Sequence, residues 1–136
     1  MSLERFVEAQ APAYATAIAE IRRGAKRSHW MWFVFPQLRG LGRSETAQFF
    51  GVDGREEAAA YLDHPLLGPR YVACVEALQD LALSDPETVF GAVDAMKLRS
   101  SLTLFEAVRP NPLFAAAIER WFGGDRDRHT LSILGR

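Results

Sequence analysis

The apolar residues of this chain recur at intervals of three and four positions, and prolines and glycines cut that pattern into short segments. The stretch from Leu66 to Leu83 shows the spacing best. Its apolar members are Leu67, Tyr71, Cys74, Val75, Leu78 and Leu81. Such spacing places apolar side chains on one face of an α-helix. The strict apolar and polar alternation of a half-buried strand is absent over any long run. The sequence therefore predicts an all-α fold.

The pattern divides residues 1–136 into about seven to nine helices, which we expect to form one compact, orthogonally packed domain. Ser2 is the expected cap of a first short helix, and Pro12 is expected to open a second one that ends at Gly24. Ser28 is the expected cap of the next helix, which Pro36 ends or kinks. Further helices are predicted over 55–62 and 66–83, from Pro86, over 94–108, from Pro112 to Phe122, and over 127–134.

The region 94–108 is expected to be a buried helix. Its apolar members are Met96, Leu98, Leu102, Phe105 and Val108. Residues 37–54 instead contain four glycines and predict the longest loop of the chain. A helical turn over 44–50 and a small hairpin are the two ordered alternatives for this region.

Charge and composition exclude several classes of protein. The net charge of -1 and the pI of about 6.3 provide no general attraction to nucleic acid or to an anionic membrane. Neither an apolar run of ~20 residues nor a basic start followed by an apolar segment is present. We therefore expect a cytoplasmic protein that binds neither nucleic acid nor membrane.

The potential metal ligands are few. A single cysteine, Cys74, excludes an internal disulfide and a cysteine-cluster metal site. The three histidines, His29, His64 and His129, do not have the spacing of metal ligands. We expect neither a metal nor a cofactor.

Residues 29–37, HWMWFVFPQ, hold two of the three tryptophans. Aromatic side chains dominate core energetics, so most of this segment is expected to be core. Trp30, Trp32 and Gln37 carry polar groups that need partners when buried. We expect His29, Gln37 and one or both tryptophans to face a pocket that suits a flat ring.

Four other segments supply candidate ligand-binding residues, namely KLRSS, GLGRS, DHPLLGPR and GGDRDRHT. In KLRSS, Lys97 and Ser101 lie four residues apart on one helical face with Ser100 beside them, where they could meet an anionic ligand. The alternative is that Lys97 extends into solvent and the serines bond to the preceding turn. In GLGRS, residues 40–44, one alternative is that the candidate residues bind a phosphate. The other is that they form a turn followed by an ordinary cap of the next helix. The candidates outside KLRSS are Arg43, Ser44, Arg70 and Thr130.

Four segments together resemble domain-of-unknown-function family 1810 (DUF1810) over nearly the whole chain. They begin with RFVEAQAPAYATAIAEIRRGAKRSHWMWFVFPQLRGLGRS and continue with AAAYLDHPLLGPR, FGAVDAMKLRSSLTLFEAV and FGGDRDRHTL. The resemblance implies a mainly helical fold and no established function. Some members of that family carry the label calpastatin. Calpastatin is a disordered, repetitive inhibitor, whereas the composition of this chain is that of a packed globule.

The chain is also similar to the NAD- and ADP-ribose-associated family, whose members cleave N-glycosidic bonds of sugar phosphates. The similarity lies in FVEAQ, EIRRG, LGRS and GGD. It implies a sugar-phosphate pocket around Phe6, Gln10, Arg43, Ser44, and Asp125 or Asp127. The tryptophan and glycine region near the end of that family has no clear counterpart here.

These observations lead to a hypothesis of a polar pocket for a phosphorylated or nucleotide-like ligand, with N-glycosidase-type hydrolysis as its activity. Trp30 and Trp32 would line the ring, and Arg43 and Lys97 would meet anionic groups. The candidates for the general base are Glu8, Asp94 and Asp127. The alternatives are an interaction or self-association module that uses residues 29–37, and a ligand sensor without turnover. The oligomeric state is left open.

Overall fold

The computed structural model describes residues 2–135, which contain nine helices and one isolated β-bridge. In chain order the helices are α1 (Glu4–Arg23), α2 (Met31–Val34), α3 (Glu45–Phe50), α4 (Gly54–Asp63), α5 (Leu67–Gln79), α6 (Pro86–Phe90), α7 (Ala92–Val108), α8 (Pro112–Phe122) and α9 (Arg128–Leu134). The predicted all-α fold is confirmed. No helix in the described part of the chain is both long and apolar enough to cross a membrane.

A single helix, α1, takes the place of the two that were predicted before Gly24. It begins after Leu3 without a side-chain cap, so the prediction that Ser2 caps it was wrong. It also continues through Pro12, although an interior proline removes one hydrogen bond and crowds the preceding turn. Buried residues before and after the proline, such as Phe6 and Ile18, pack into the core and hold both halves in one helix.

Two buried ionic groups fix the ends of α1. Near its start, the Arg5 guanidinium lies 2.7 Å from Glu57 and donates hydrogen bonds to the carbonyls of Phe49 and Gly51. Near its end, the Glu20 carboxylate is 3% exposed and accepts hydrogen bonds from the segment that leads into α2. Both side chains are fully engaged, as buried charges must be.

The core is rich in aromatic rings. The ring centroids of Tyr71 and Phe105 are 4.5 Å apart, and those of Tyr61 and Phe105 are 5.3 Å apart. From the segment 29–37, Phe35 is fully buried in this cluster, and its ring packs edge-on against Tyr71. Trp30 is buried as well, at 1% exposure. The aromatic segment is therefore mostly core.

Residues 37–54 form neither a hairpin nor an open loop. Val52 N donates to Gln37 O and Arg39 N donates to Val52 O, both at 2.8 Å, and the bridge between Leu38 and Val52 is parallel. The hairpin alternative was wrong, because a hairpin pairs antiparallel strands. Helix α3 fills the connection, and the Ser44 hydroxyl caps it by accepting from the backbone N of Ala47 at 3.1 Å.

Helix α7 is central and contacts α2, α4, α6, α8 and α9. Its residues 100–105 are all buried, because neighbouring helices surround this half. Its first half is covered on fewer sides. There Val93 and Met96 are 68% and 64% exposed, so the prediction that Met96 faces the core was wrong. This uncovered side of α7 forms one wall of the site described next.

Candidate functional site

A pocket of about 290 Å³ lies between α2, the segment that follows it, the first half of α7 and the start of α9. Its lining includes five residues that the sequence had marked as candidates. These are Trp32, Gln37, Lys97, Ser100 and Asp127. The others are Leu41, Gly42, Val93, Met96 and His129. The structure thus brings together side chains from the aromatic segment, from KLRSS and from the cap of α9.

The Lys97 ammonium lies over one face of the Trp32 indole ring. Its Nζ lies 3.6 Å from the centre of the indole, which is a close cation–π contact. The Asp94 carboxylate lies 3.5 Å from Lys97 Nζ through one oxygen and 2.8 Å from Lys26 Nζ through the other. One negative charge therefore faces two ammonium groups, and the group as a whole keeps a positive charge beside the pocket.

Asp127 is held by hydrogen bonds to one of its two carboxylate oxygens. Oδ2 accepts from Thr130 N at 3.1 Å and from the Thr130 hydroxyl. It also accepts from Ser100 Oγ at 3.2 Å, which shares its single proton with the carbonyl of Met96 in the preceding turn at 3.1 Å. The Asp127 amide in turn donates to Thr103 Oγ1 at 3.0 Å. Within residues 2–135, no hydrogen bond reaches Oδ1. The carboxylate is thus fixed in orientation and keeps one oxygen available.

Trp30, Ser101 and Thr130 lie behind the pocket wall. Trp30 Nε1 donates to Glu20 at 2.9 Å in the buried interior. Ser101 is fully buried, and its hydroxyl shares a 2.9 Å hydrogen bond with the Tyr71 hydroxyl. Thr130 is also fully buried and acts on the pocket through its bonds to Asp127. These three side chains do not line the pocket.

A second group of candidates lies on exposed surface. Glu8 is on the exposed side of α1, and His29 and Arg43 lie in exposed connections. Ser44 is exposed as the cap of α3. The prediction that Ser28 caps α2 was wrong. Its hydroxyl donates to the Glu20 carboxylate instead, and α2 has no side-chain cap.

Arg70 belongs to a separate polar cluster beside α1. Its guanidinium lies 4.4 Å from the Tyr14 ring centre and donates to Gln10 Oε1 at 3.3 Å. Gln10 Nε2 donates to the carbonyl of Phe33 at 2.7 Å, which ties this cluster to α2. Burial raises the pKa of both Tyr14 and Cys74 to about 12. This cluster is therefore a packing arrangement of neutral groups around the Arg70 guanidinium, which contacts the Gln10 amide and the Tyr14 ring.

The histidines do not meet one another in the fold. His64 Nδ1 accepts from the backbone N of Leu66 and Leu67, at 3.1 and 3.2 Å, and so stabilises the start of α5. His129 is exposed and lines the pocket. Across the described residues, no three His, Cys, Asp or Glu side chains gather as metal ligands.

Sequence reasoning did not identify the apolar part of the pocket. Val93, Met96, Lys97 and Ser100 follow the spacing i, i+3, i+4 and i+7 and therefore share one face of α7. The spacing of this pocket-facing side of α7 can be read from the sequence, as can the spacing of the side of α7 that packs into the core. His129 had no signal beyond its position two residues after the cap Asp127.

Comparison with known proteins agrees with the fold. Residues 1–134 match the family described as "Protein of unknown function (DUF1810)". A crystal structure of the conserved hypothetical protein Rv1873 from Mycobacterium tuberculosis is similar, with a TM-score of 0.96 and 47% sequence identity over 98% of this chain and 96% of that chain. No curated protein matches the chain. Since the family match spans nearly all of the sequence, the chain belongs to the DUF1810 family of proteins of unknown function.

Proposed function

We propose that the pocket between α2, α7 and α9 binds a phosphorylated or nucleotide-like small molecule. The observation that carries this proposal is the Lys97 ammonium, held against Trp32 in a lining that also presents Val93 and Met96. Small-molecule sites combine apolar walls with a few placed polar groups. The pocket has that composition, and the Lys97 ammonium is the cationic group in its lining that an anionic ligand would contact.

The ion pair of Lys97 leaves its ammonium available to a ligand. An ammonium has three N–H donors, and the oxygen of Asp94 lies 3.5 Å away, at the far limit of a hydrogen bond. Asp94 is already neutralised by the nearer ammonium of Lys26. An anionic ligand could therefore take the Lys97 donors without leaving an unpaired carboxylate behind.

The position of Lys97 changes the role expected for Trp32. Its ammonium covers the indole face at 3.6 Å, so a flat ligand does not stack on that face. The apolar part of a ligand instead packs against Val93 and Met96, whose side chains are largely exposed. Trp32 then serves as a rigid support that holds the cation in place.

Hydrolysis of an N-glycosidic bond is the second candidate function, and the geometry of Asp127 favours it. A general base must be oriented toward the water that it activates, and three donors on Oδ2 fix this carboxylate while leaving Oδ1 available. N-glycosidic cleavage also needs stabilisation of an oxocarbenium-like centre, which a carboxylate supplies. Among the three predicted bases, Asp127 is the one that lines this pocket.

The experiment measures ligand binding and turnover with NAD, ADP-ribose and ribosylamino-pyrimidines. Thermal unfolding reports binding, and chromatography reports a released base. We expect a ligand that raises the unfolding temperature, and a loss of about tenfold in affinity in Lys97→Gln. Arg23→Gln, at an exposed arginine in the last turn of α1, is the matched control.

The variant Asp127→Asn separates the two functions. Asparagine keeps an oxygen that can cap α9 but cannot accept a proton from water. Hydrolysis predicts that this variant retains binding and loses turnover. Binding without turnover in the unchanged protein would support a sensor. The binding proposal is refuted if none of these ligands stabilises the protein and none is cleaved.

A further inference from the structure

Two opposite charges in the lining of the pocket between α2, α7 and α9 do not neutralise each other. Lys97 is the cation of that lining and Asp127 is its carboxylate, and within residues 2–135 no ion pair joins the two. The ion-pair partner of Lys97 is Asp94, which does not line the pocket. With its histidine counted as neutral, the lining therefore offers a ligand one positive and one negative charge.

Ser100 relates the positions of these two charged groups. Lys97 and Ser100 are three residues apart on one face of α7, where side chains are neighbours at roughly 5–6 Å between Cβ atoms. Ser100 Oγ in turn lies 3.2 Å from Asp127 Oδ2. The ammonium and the carboxylate are thus close enough for one small ligand to contact both.

The hydrogen-bond acceptors of the pocket suit a protonated amine. Neither Asp127 Oδ1 nor the side-chain amide of the half-buried Gln37 forms a hydrogen bond with the described part of the chain. A protonated amine has three N–H donors and no acceptor, so both side-chain oxygens can accept from it. Hydrogen bonds between ionised groups are roughly twice as strong as those between neutral groups. The Asp127 side of the pocket therefore favours an amine and repels a second anion.

We propose that the pocket binds a small phosphorylated amine, with its phosphate at Lys97 and its ammonium at Asp127 and Gln37. The inference rests on the proposed function for the anionic group and adds the second group of the ligand. The volume of about 290 Å³ lies just below the roughly 300–1,000 Å³ that is usual for drug-sized ligands, which agrees with a smaller molecule. Val93 and Met96 cover the carbon chain between its two charges.

The position of the ammonium also bears on turnover. An ammonium at Asp127 Oδ1 takes the place that a hydrolytic water would need. We therefore expect a phosphorylated amine to bind without being cleaved, and to compete with any ligand that contacts the same carboxylate.

The experiment uses isothermal titration calorimetry to compare phosphates that differ in the amine alone. The pairs are phosphoethanolamine with ethyl phosphate, and aminopropyl phosphate with propyl phosphate. They are tested on the unchanged protein, on Asp127→Asn, on Lys97→Gln and on the control Asp80→Asn, at an exposed aspartate that follows α5. We expect at least one amine to bind about tenfold more tightly than its amine-free partner.

The two pocket variants test the two ends of the ligand separately. In Asp127→Asn the preference for the amine should disappear, because an amide oxygen accepts hydrogen bonds but carries no negative charge. In Lys97→Gln both members of a pair should weaken by a similar factor, so that the preference stays. Asp80→Asn should behave like the unchanged protein, and thermal unfolding without ligand checks that each variant is folded.

The outcomes distinguish this inference from the proposed function. If an amine and its amine-free partner bind the unchanged protein equally well, or if Asp127→Asn keeps the preference, the ammonium position is wrong and the anionic site at Lys97 stands. If the amine is preferred but Lys97→Gln binds every probe as tightly as the unchanged protein, the phosphate position is wrong, and with it the role that the proposed function gives to Lys97. If none of the four phosphates binds, the inference is overturned and the nucleotide probes decide the proposed function.

Discussion

Replacing Glu20 with glutamine should remove one of the largest pH-dependent contributions to the stability of this fold. The Glu20 carboxylate accepts hydrogen bonds from the backbone N of Arg27 and Ser28 at 2.9 Å each, from Ser28 Oγ at 2.6 Å and from Trp30 Nε1 at 2.9 Å. Burial by itself raises the pKa of Glu20, but these four donors outweigh burial and lower the pKa to about 2.

The sign and size of the effect follow from proton linkage. In the unfolded chain this carboxyl has its ordinary pKa of 4.5, so the unfolded state binds a proton at a higher pH than the folded state does. The stabilisation is fully present above pH 4.5 and is lost as the pH falls through the folded pKa of about 2. At ~1.4 kcal/mol per pKa unit, the full contribution is about 3 kcal/mol, of which about 2 kcal/mol is already lost at pH 3.

Urea unfolding followed by circular dichroism measures this contribution. We expect Glu20→Gln to lower the free energy of unfolding by about 3 kcal/mol at pH 7, because an amide cannot replace an acceptor that receives four donors. At pH 3 the difference from the unchanged protein should shrink by about 2 kcal/mol. Other carboxylates titrate equally in both proteins, so this change isolates Glu20.

The control is Glu76→Gln, at an exposed glutamate on α5, which should change the free energy of unfolding by less than about 0.5 kcal/mol at either pH. The reasoning is refuted if the cost of Glu20→Gln is the same at pH 7 and pH 3, because the carboxylate would then not be the group that the four donors stabilise.

Three further predictions concern the burial or exposure of single side chains. Ser101→Ala should lower the free energy of unfolding by about 1–3 kcal/mol, because its buried tyrosine partner loses a hydrogen bond, and should leave ligand affinity unchanged in calorimetry; a loss of affinity would contradict its placement behind the pocket. Met96→Asp should weaken ligand binding without changing the sedimentation coefficient, whereas dissociation of an oligomer would favour an interaction module. Because burial raises the pKa of Cys74 to about 12, the folded protein should not react with a thiol reagent at pH 8, and the urea-unfolded protein should; rapid labelling of the folded protein would contradict this.

Most helix boundaries could be predicted because local residues determine them. Asp85 and Asp127 cap α6 and α9 with side-chain hydrogen bonds, and Gly24 ends α1 with a φ of 73°. The continuity of α1 could not be predicted in this way. Pro12 is a local signal for a helix start, and core packing on both sides of it overrides that signal.

The site was partly predictable for the same reason. Lys97 and Ser100 share a helical face, and that periodicity is visible in the sequence. Trp30 and Ser101 also carry polar atoms that needed partners, but their partners proved to be Glu20 and Tyr71, 10 and 30 residues away. A need for a partner can be seen in a sequence, whereas the identity of a distant partner depends on the whole fold.

The two buried ionic side chains of α1, Arg5 and Glu20, have a consequence for the axial position of this helix on the core. Arg5 and Glu20 are separated by about 22 Å along the helix axis, and each fits a different, fixed set of partners. A shift of α1 by one turn, about 5.4 Å, would still bury apolar side chains but would strand both charges at once. The partners at the two ends therefore select one axial alignment of α1 on the core.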